Sequence, residues 1–145
     1  MSGATPMAAT PTPQGEGQLR RIGQIAVVAH DVPRATRFYR DVLGLRLLFE
    51  APPGLAFFDC GGVRLMLSPP EGEHAPGTSA PLYYDVADIH AAHGTLRARG
   101  AHFEREPHVV AALGTHDLWM AFLRDSEHNL LALMSEVPRR EGAAG

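Results

Sequence analysis

One pattern is written twice in this chain, and it limits the fold more than any other feature. An apolar, strand-like run, Ile22-Gly-Gln-Ile-Ala-Val-Val-Ala29, leads into His30-Asp31-Val32, and a helical stretch then ends at Gly44. A second run, Pro81-Leu-Tyr-Tyr-Asp-Val86, leads into Ala87-Asp88-Ile89, and a second helical stretch ends at Gly100. Asp31 and Asp88 stand 57 residues apart and suit the same place. Each is an N-cap whose carboxylate can accept the free N–H groups of a first helical turn. Glycine suits the left-handed residue that stops a helix. In the first helix Val32, Ala35, Phe38, Tyr39, Val42 and Leu43 share one stripe, while Arg34, Arg37 and Arg40 point to water. In the second, Ile89, Ala92 and Leu96 form the stripe, and Gly94 weakens the helix by about 1 kcal/mol relative to Ala.

Three strand-like runs follow each helix. After the first come 46–50, 55–59 and 63–68, the last two joined by Cys60-Gly61-Gly62-Val63. Gly-Gly supplies the positive φ angles of a two-residue hairpin turn. After the second come 101–104, 118–124 and 129–135, with Asp125-Ser-Glu-His-Asn129 linking the last pair. The expectation is an α+β fold of two βαβββ modules, about 22–68 and 81–135, forming a curled mixed sheet. A leader over residues 1–20, rich in Ala, Thr, Pro and Gly, and a tail over 138–145 are expected to be loose.

Charge and composition narrow the function. The net charge is −3 and no basic stripe is present, which argues against nucleic acid as a partner. All 13 basic residues are Arg, so Schiff-base chemistry on a lysine is excluded. One cysteine, Cys60, permits no intrachain disulfide, and it has no evident activating His. No apolar run approaches the ~20 residues of a membrane span. With no signal-peptide pattern in the leader, the cytoplasm is the default location.

The wording of the repeat resembles the vicinal oxygen chelate superfamily, which includes glyoxalases, bleomycin-resistance proteins and dioxygenases. The resemblance is carried by Ile25-Ala-Val-Val-Ala-His-Asp-Val-Pro-Arg-Ala-Thr-Arg-Phe-Tyr39, Val42-Leu-Gly-Leu45 and Asp125-Ser-Glu-His-Asn-Leu-Leu-Ala-Leu133. The last piece departs from the family's Asp-Pro-Asp-Gly-Asn/His-x-x-Glu-Leu ending. Ser126 replaces Pro, His128 replaces Gly and Ala132 replaces Glu. The resemblance implies sheets that curl into a cup holding a small-molecule ligand, and a homodimer. It also implies a divalent metal on four residues, whose places fall on Gln24, Met66, Pro81 and Ala132. Pro and Ala carry no donor atom, and a thioether matches a hard ion poorly. A register slip brings Leu65, Leu67, Leu82, Leu131 or Leu133 instead. No metal ligands and no cofactor are therefore expected.

Strand alternation then gives the lining of the cup. Ligand-binding candidates are Gln24, Phe57, Arg64, Met66, Tyr83, Met120 and Phe122. His116, Tyr83 and Asp85 are candidates for acid–base chemistry. Arg64 either pairs with Asp59 across the hairpin or meets an anionic ligand group. Trp119 is expected on the helix side, in the core. His90 and His93, three apart on a helix, lack a third ligand.

Three readings of function remain: a sequestering protein, a metal-independent enzyme, and a metal-dependent lyase, epimerase or dioxygenase. The last needs His30, His116 and His128 to converge with Gln24.

Overall fold

The chain is described by a computed structural model that covers residues 17–70 and 80–139. The expected leader lies outside the described residues over 1–16, and the expected tail over 140–145. The first module contains β1 (Gln24–Val28), α1 (Val32–Arg37), β2 (Arg46–Ala51), β3 (Leu55–Cys60) and β4 (Val63–Ser68). The second contains β5 (Leu82–Asp85), α2 (Ile89–Ala98), β6 (His102–Leu113), β7 (His116–Arg124) and β8 (Leu130–Pro138). Each module forms a four-stranded mixed sheet, ordered β1-β4-β3-β2 and β5-β8-β7-β6. In each, the first and last strands run parallel and the others antiparallel. The expected α+β repeat is present, and the sheets do not close into a barrel.

Both helices start as the sequence predicts. Asp31 Oδ1 accepts from the Arg34 N–H and Asp88 Oδ1 from the Ala91 N–H, each at 3.0 Å. The first helix ends differently. Phe38–Val42 forms a π-helical turn, with the Leu43 N–H donating to the Phe38 carbonyl at 3.0 Å. The wider turn lets Phe38 and Tyr39 both reach apolar surroundings, and Tyr39 is completely buried. Gly61 and Gly62 take φ of 59° and 92°, the positive pair that a tight hairpin between right-twisted strands requires.

Apolar side chains on the regular strands alternate towards the helices. Val27, Phe58, Leu65 and Leu67 form one core beneath α1, and Ala121, Leu123, Leu131 and Leu133 form another beneath α2. Each fully buried Leu or Phe contributes about 1.5–3 kcal/mol of transfer free energy. Phe38, Leu43 and Leu82 pack against both cores and join the modules within one chain. Trp119 packs on the second core, as expected, with the His90 ring edge-on at 5.0 Å.

The loop Asp125–Asn129 fastens the modules further. Buried Glu127 accepts from the His30 and Asp31 N–H groups at 2.8 and 3.1 Å and pairs with Arg34 at 3.2 Å. Arg34 therefore serves the junction rather than pointing simply to water. No helix among the described residues is long and apolar enough to cross a membrane.

Strand β6 departs most from expectation. It runs on past Glu104 to Leu113, pairing with β7 through three register shifts. Bulges of this kind let a strand continue through residues, such as Pro107 here, that a regular ladder rejects.

Candidate functional site

The cores occupy the helix side of both sheets, so the alternate residues share the opposite face. On the first sheet, register places Phe57 beside Met66 and Met66 beside Ala26, with Asp59, Arg64 and Gln24 in the adjacent row. On the second, Tyr83 lies beside Ala132 and Ala132 beside Phe122, with Asp85, Met134 and Met120 in the adjacent row. Within each sheet, the expected residues on these strands fall on the face opposite the helix. The face is open: Tyr83 is 50% exposed and Phe49 47%.

Arg64 is held here by neighbours other than its expected one. Its Nε donates to Gln24 Oε1 at 2.7 Å, and its guanidinium carbon lies 5.2 Å from the Phe57 ring centre. Such a cation–π contact is worth about 0.5–1 kcal/mol at an exposed site. Asp59 is its backbone neighbour across the hairpin, but no ion pair joins them among the described residues. The guanidinium thus meets an aromatic ring and, through Nε–H, an amide oxygen. Its terminal nitrogens bond no described residue.

His116 stands apart from this group. It pairs with Pro138, six residues along β8 from Ala132. At about 3.3 Å per residue this is roughly 20 Å from the Tyr83–Ala132–Phe122 row. Its Nδ1 lies 2.9 Å from the Thr115 hydroxyl. Tyr83 and Asp85 are two residues apart on β5 and both exposed.

Sequence reasoning missed three residues of this face. A register shift between Leu47 and Phe49 lets Phe49 stack on Phe57, with ring centres 4.6 Å apart. Simple alternation gives Phe49 the same side as buried-facing Leu47, so no periodic signal reveals it. His108 and Arg105 were hidden by the bulges of β6. The His108 ring sits 6.3 Å from Phe122, and its Nδ1–H donates to the Glu106 carbonyl at 2.7 Å. Since that carbonyl can only accept, Nε2 carries the lone pair and receives Arg105 Nη2 at 3.2 Å.

The family's metal requires donors at the four places named above. Gln24 and Met66 are neighbours, with the amide nitrogen 3.9 Å from the thioether sulfur. Of the four side chains only Gln24 offers a hard oxygen, and that oxygen already accepts from a guanidinium cation. A dication there meets one occupied neutral donor and a nearby positive charge, so these residues do not fit the metal. Among the described residues no three of His, Cys, Asp and Glu gather as a possible metal site. His30 lies by the Glu127 loop, whereas His116 pairs at the opposite end of β7, so the histidines named for a metal-dependent reading do not converge.

The fold and this layout define a paired βαβββ protein, and sequence comparison agrees. The chain belongs to the Glyoxalase/Bleomycin resistance protein/Dioxygenase superfamily, whose profile matches residues 21–133. No curated protein matches it in sequence.

Solved structures share the fold. A lactoylglutathione lyase from Agrobacterium tumefaciens is 22% identical with a TM-score of 0.67, covering 81% of this chain and 95% of its own. A superfamily member from Sphaerobacter thermophilus is 19% identical with a TM-score of 0.69, covering 81% and 98%. A virulence protein from Salmonella typhimurium is 20% identical with a TM-score of 0.69, covering 83% and 99%.

Proposed function

We propose that the open face binds a small organic molecule without a metal, through an aromatic and thioether floor and the Arg64 cation. The observation that carries this reading is the Gln24–Arg64–Phe57 arrangement. The one hard oxygen at the family's ligand positions holds a guanidinium in place over an aromatic ring. Phe49, Met66, Met120, Phe122 and Tyr83 offer flat or polarisable surface, with buried Phe57 beneath Phe49 and Arg64, the usual make-up of a small-molecule site. The preferred ligand has a planar or apolar body and one anionic or hydroxyl group that faces Arg64.

The protein acts either as a sequestering protein or as a metal-independent enzyme. For catalysis, Tyr83 and Asp85 are the acid–base candidates on β5, and His108 joins them from β6. His116 is too distant along β7 to act on the same ligand atoms. The alternative is a metal-dependent lyase, epimerase or dioxygenase, for which Gln24 is the one suitable ligand position.

The exposed apolar side chains of Val109, Val110 and Leu113 on β6 support assembly as a homodimer. Elemental analysis of purified protein, beside thermal unfolding with and without divalent ions, separates the readings. The proposal expects no stoichiometric metal and no stabilisation. One equivalent of tightly held metal would overturn it.

A further inference from the structure

The two modules are alike, but the spaces beneath their helices are filled differently. Under α1, Phe38 and Tyr39 fill the space, and Tyr39 donates to Asp125 of the opposing loop at 2.6 Å. By the 57-residue offset of the repeat, the counterparts of Phe38 and Tyr39 under α2 are Thr95 and Leu96. The counterpart of the Asp125–Asn129 loop is the Gly61–Gly62 turn, which has no side chains to contribute. Smaller residues therefore stand at each matching place. A cavity of about 270 Å³ remains there, lined by Leu43, Leu45, Cys60, Tyr84, Ala92 and Leu96 among others.

One of the lining residues, Tyr84, carries an unanswered donor. The Tyr84 hydroxyl is buried and has no hydrogen-bond partner among the described residues. A buried polar group left in that state costs about 1–3 kcal/mol. The surrounding walls are apolar apart from Cys60, Asp85 and Thr95. An apolar cavity of about 150 Å³ already accommodates benzene, so this one has room for a substituted ring. Asp85 lines it from the strand, but its exposed side chain lies with Tyr83 on the opposite side of β5, so among the described residues the space holds no charge to pair with an ionic ligand. The cavity lies on the helix side of the sheets, on the far side from Arg64 and Met66.

We infer that this cavity between the Gly61–Gly62 turn and α2 is a second binding site, for a neutral aromatic molecule whose carbonyl oxygen accepts from the Tyr84 hydroxyl. Cys60 lies at its wall, so an occupant shields the thiol.

The test uses the full chain and two probes of one shape, acetophenone and α-methylstyrene, which differ in the carbonyl. Acetophenone should bind saturably, shift the amide resonances of Cys60, Tyr84 and Leu96, and slow alkylation of Cys60 by iodoacetamide. Tyr84→Phe should weaken acetophenone about threefold to tenfold, the net worth of one neutral hydrogen bond, and leave α-methylstyrene unchanged. Ala92→Leu, which fills the space, should abolish both. The inference is overturned if neither probe saturates, if acetophenone-soaked crystals hold only ordered water in the cavity, or if the shifts map to Phe57 and Met66. Equal weakening of both probes by Tyr84→Phe overturns it as well.

Discussion

The Tyr39 hydroxyl donates to Asp125 Oδ2 at 2.6 Å, with both residues buried and 86 positions apart. This bond ties the first module's helix to the second module's loop. The same carboxylate accepts from the Glu127 and Asn129 N–H groups at 2.8 and 2.9 Å and from Asn129 Nδ2 at 2.9 Å. Removing the hydroxyl leaves the carboxylate partly satisfied but takes away a hydrogen bond to a charged group. Tyr39→Phe should lower the unfolding free energy by about 1.5–3 kcal/mol, read from the urea midpoint at constant slope. A shift below a few tenths would show that the junction does not depend on this bond.

Tyr39 and Tyr84 also set the alkaline limit of stability. Burial pushes the Tyr39 hydroxyl well above the usual tyrosine range, and the adjacent Asp125 charge adds to it. Burial raises Tyr84 too, with the neighbouring Cys60 next in effect. The native state therefore keeps both protons after an unfolded chain has begun to lose them near pH 10. Where the native state binds more protons, stability falls as pH rises. Each tyrosine should add a slope of up to about 1.4 kcal/mol per pH unit above pH 10, and none below about pH 9. Urea titrations from pH 8 to 11 on the wild type, Tyr39→Phe and Tyr84→Phe test this. Each variant should flatten the alkaline limb, and parallel curves would contradict the account.

Glu127 is the other fastening at the junction. Its side chain is 3% exposed, while that of its partner Arg34 is 53% exposed. The two backbone N–H groups it accepts therefore matter more than the ion pair, which solvent screens. Glu127→Ala should cost about 2–4 kcal/mol, because two donors at the start of α1 lose their acceptor. Arg34→Ala should cost under about 1 kcal/mol. If the two losses were equal in thermal and urea unfolding, the ranking of these contacts would be wrong.

The sequence revealed what repeats and what caps. Asp31 and Asp88 cap helices because a short carboxylate in that position has one evident use, and Gly61–Gly62 turns because few other pairs can. Alternation sorted the β4, β5, β7 and β8 residues correctly by face, since each strand is regular and one side is apolar. It failed wherever a bulge intervenes, at Phe49 and along β6, because one extra residue inverts the sides without changing composition. It also could not choose the partner of Arg64. Asp59 and Gln24 both lie beside it in register, and only the third dimension favours the amide and the Phe57 ring.

That arrangement predicts how Arg64 should behave in binding. Arg64→Ala should weaken ligands with an anionic group about tenfold, consistent with loss of one charge-assisted hydrogen bond, and leave neutral analogues nearly unchanged. Gln24→Ala frees the guanidinium from its oxygen acceptor and should give a smaller loss of the same selectivity. Calorimetric titration of paired anionic and neutral aromatics measures both. Equal losses for both ligand classes would show that Arg64 supports the face without reading charge.

The donor set itself can be rebuilt as a test of why these residues do not fit a metal. Met66→Glu and Ala132→Glu each add a hard oxygen on the side of the sheets opposite the helices, at Ala132 from a fully buried position between Tyr83 and Phe122 that the larger side chain must open. Pro81→His adds a nitrogen just before β5. Together with Gln24 they complete four donors of suitable hardness, and the two carboxylates offset the Arg64 charge. The triple variant should gain nickel or zinc binding, raising its unfolding free energy by about 2.7 kcal/mol at a metal concentration 100 times the Kd. The wild type under the same conditions should not respond. A wild-type chain stabilised by either ion, with the effect removed by Gln24→Ala, would mean that the amide and its surroundings suffice, and that the Arg64 guanidinium yields its place to a cation.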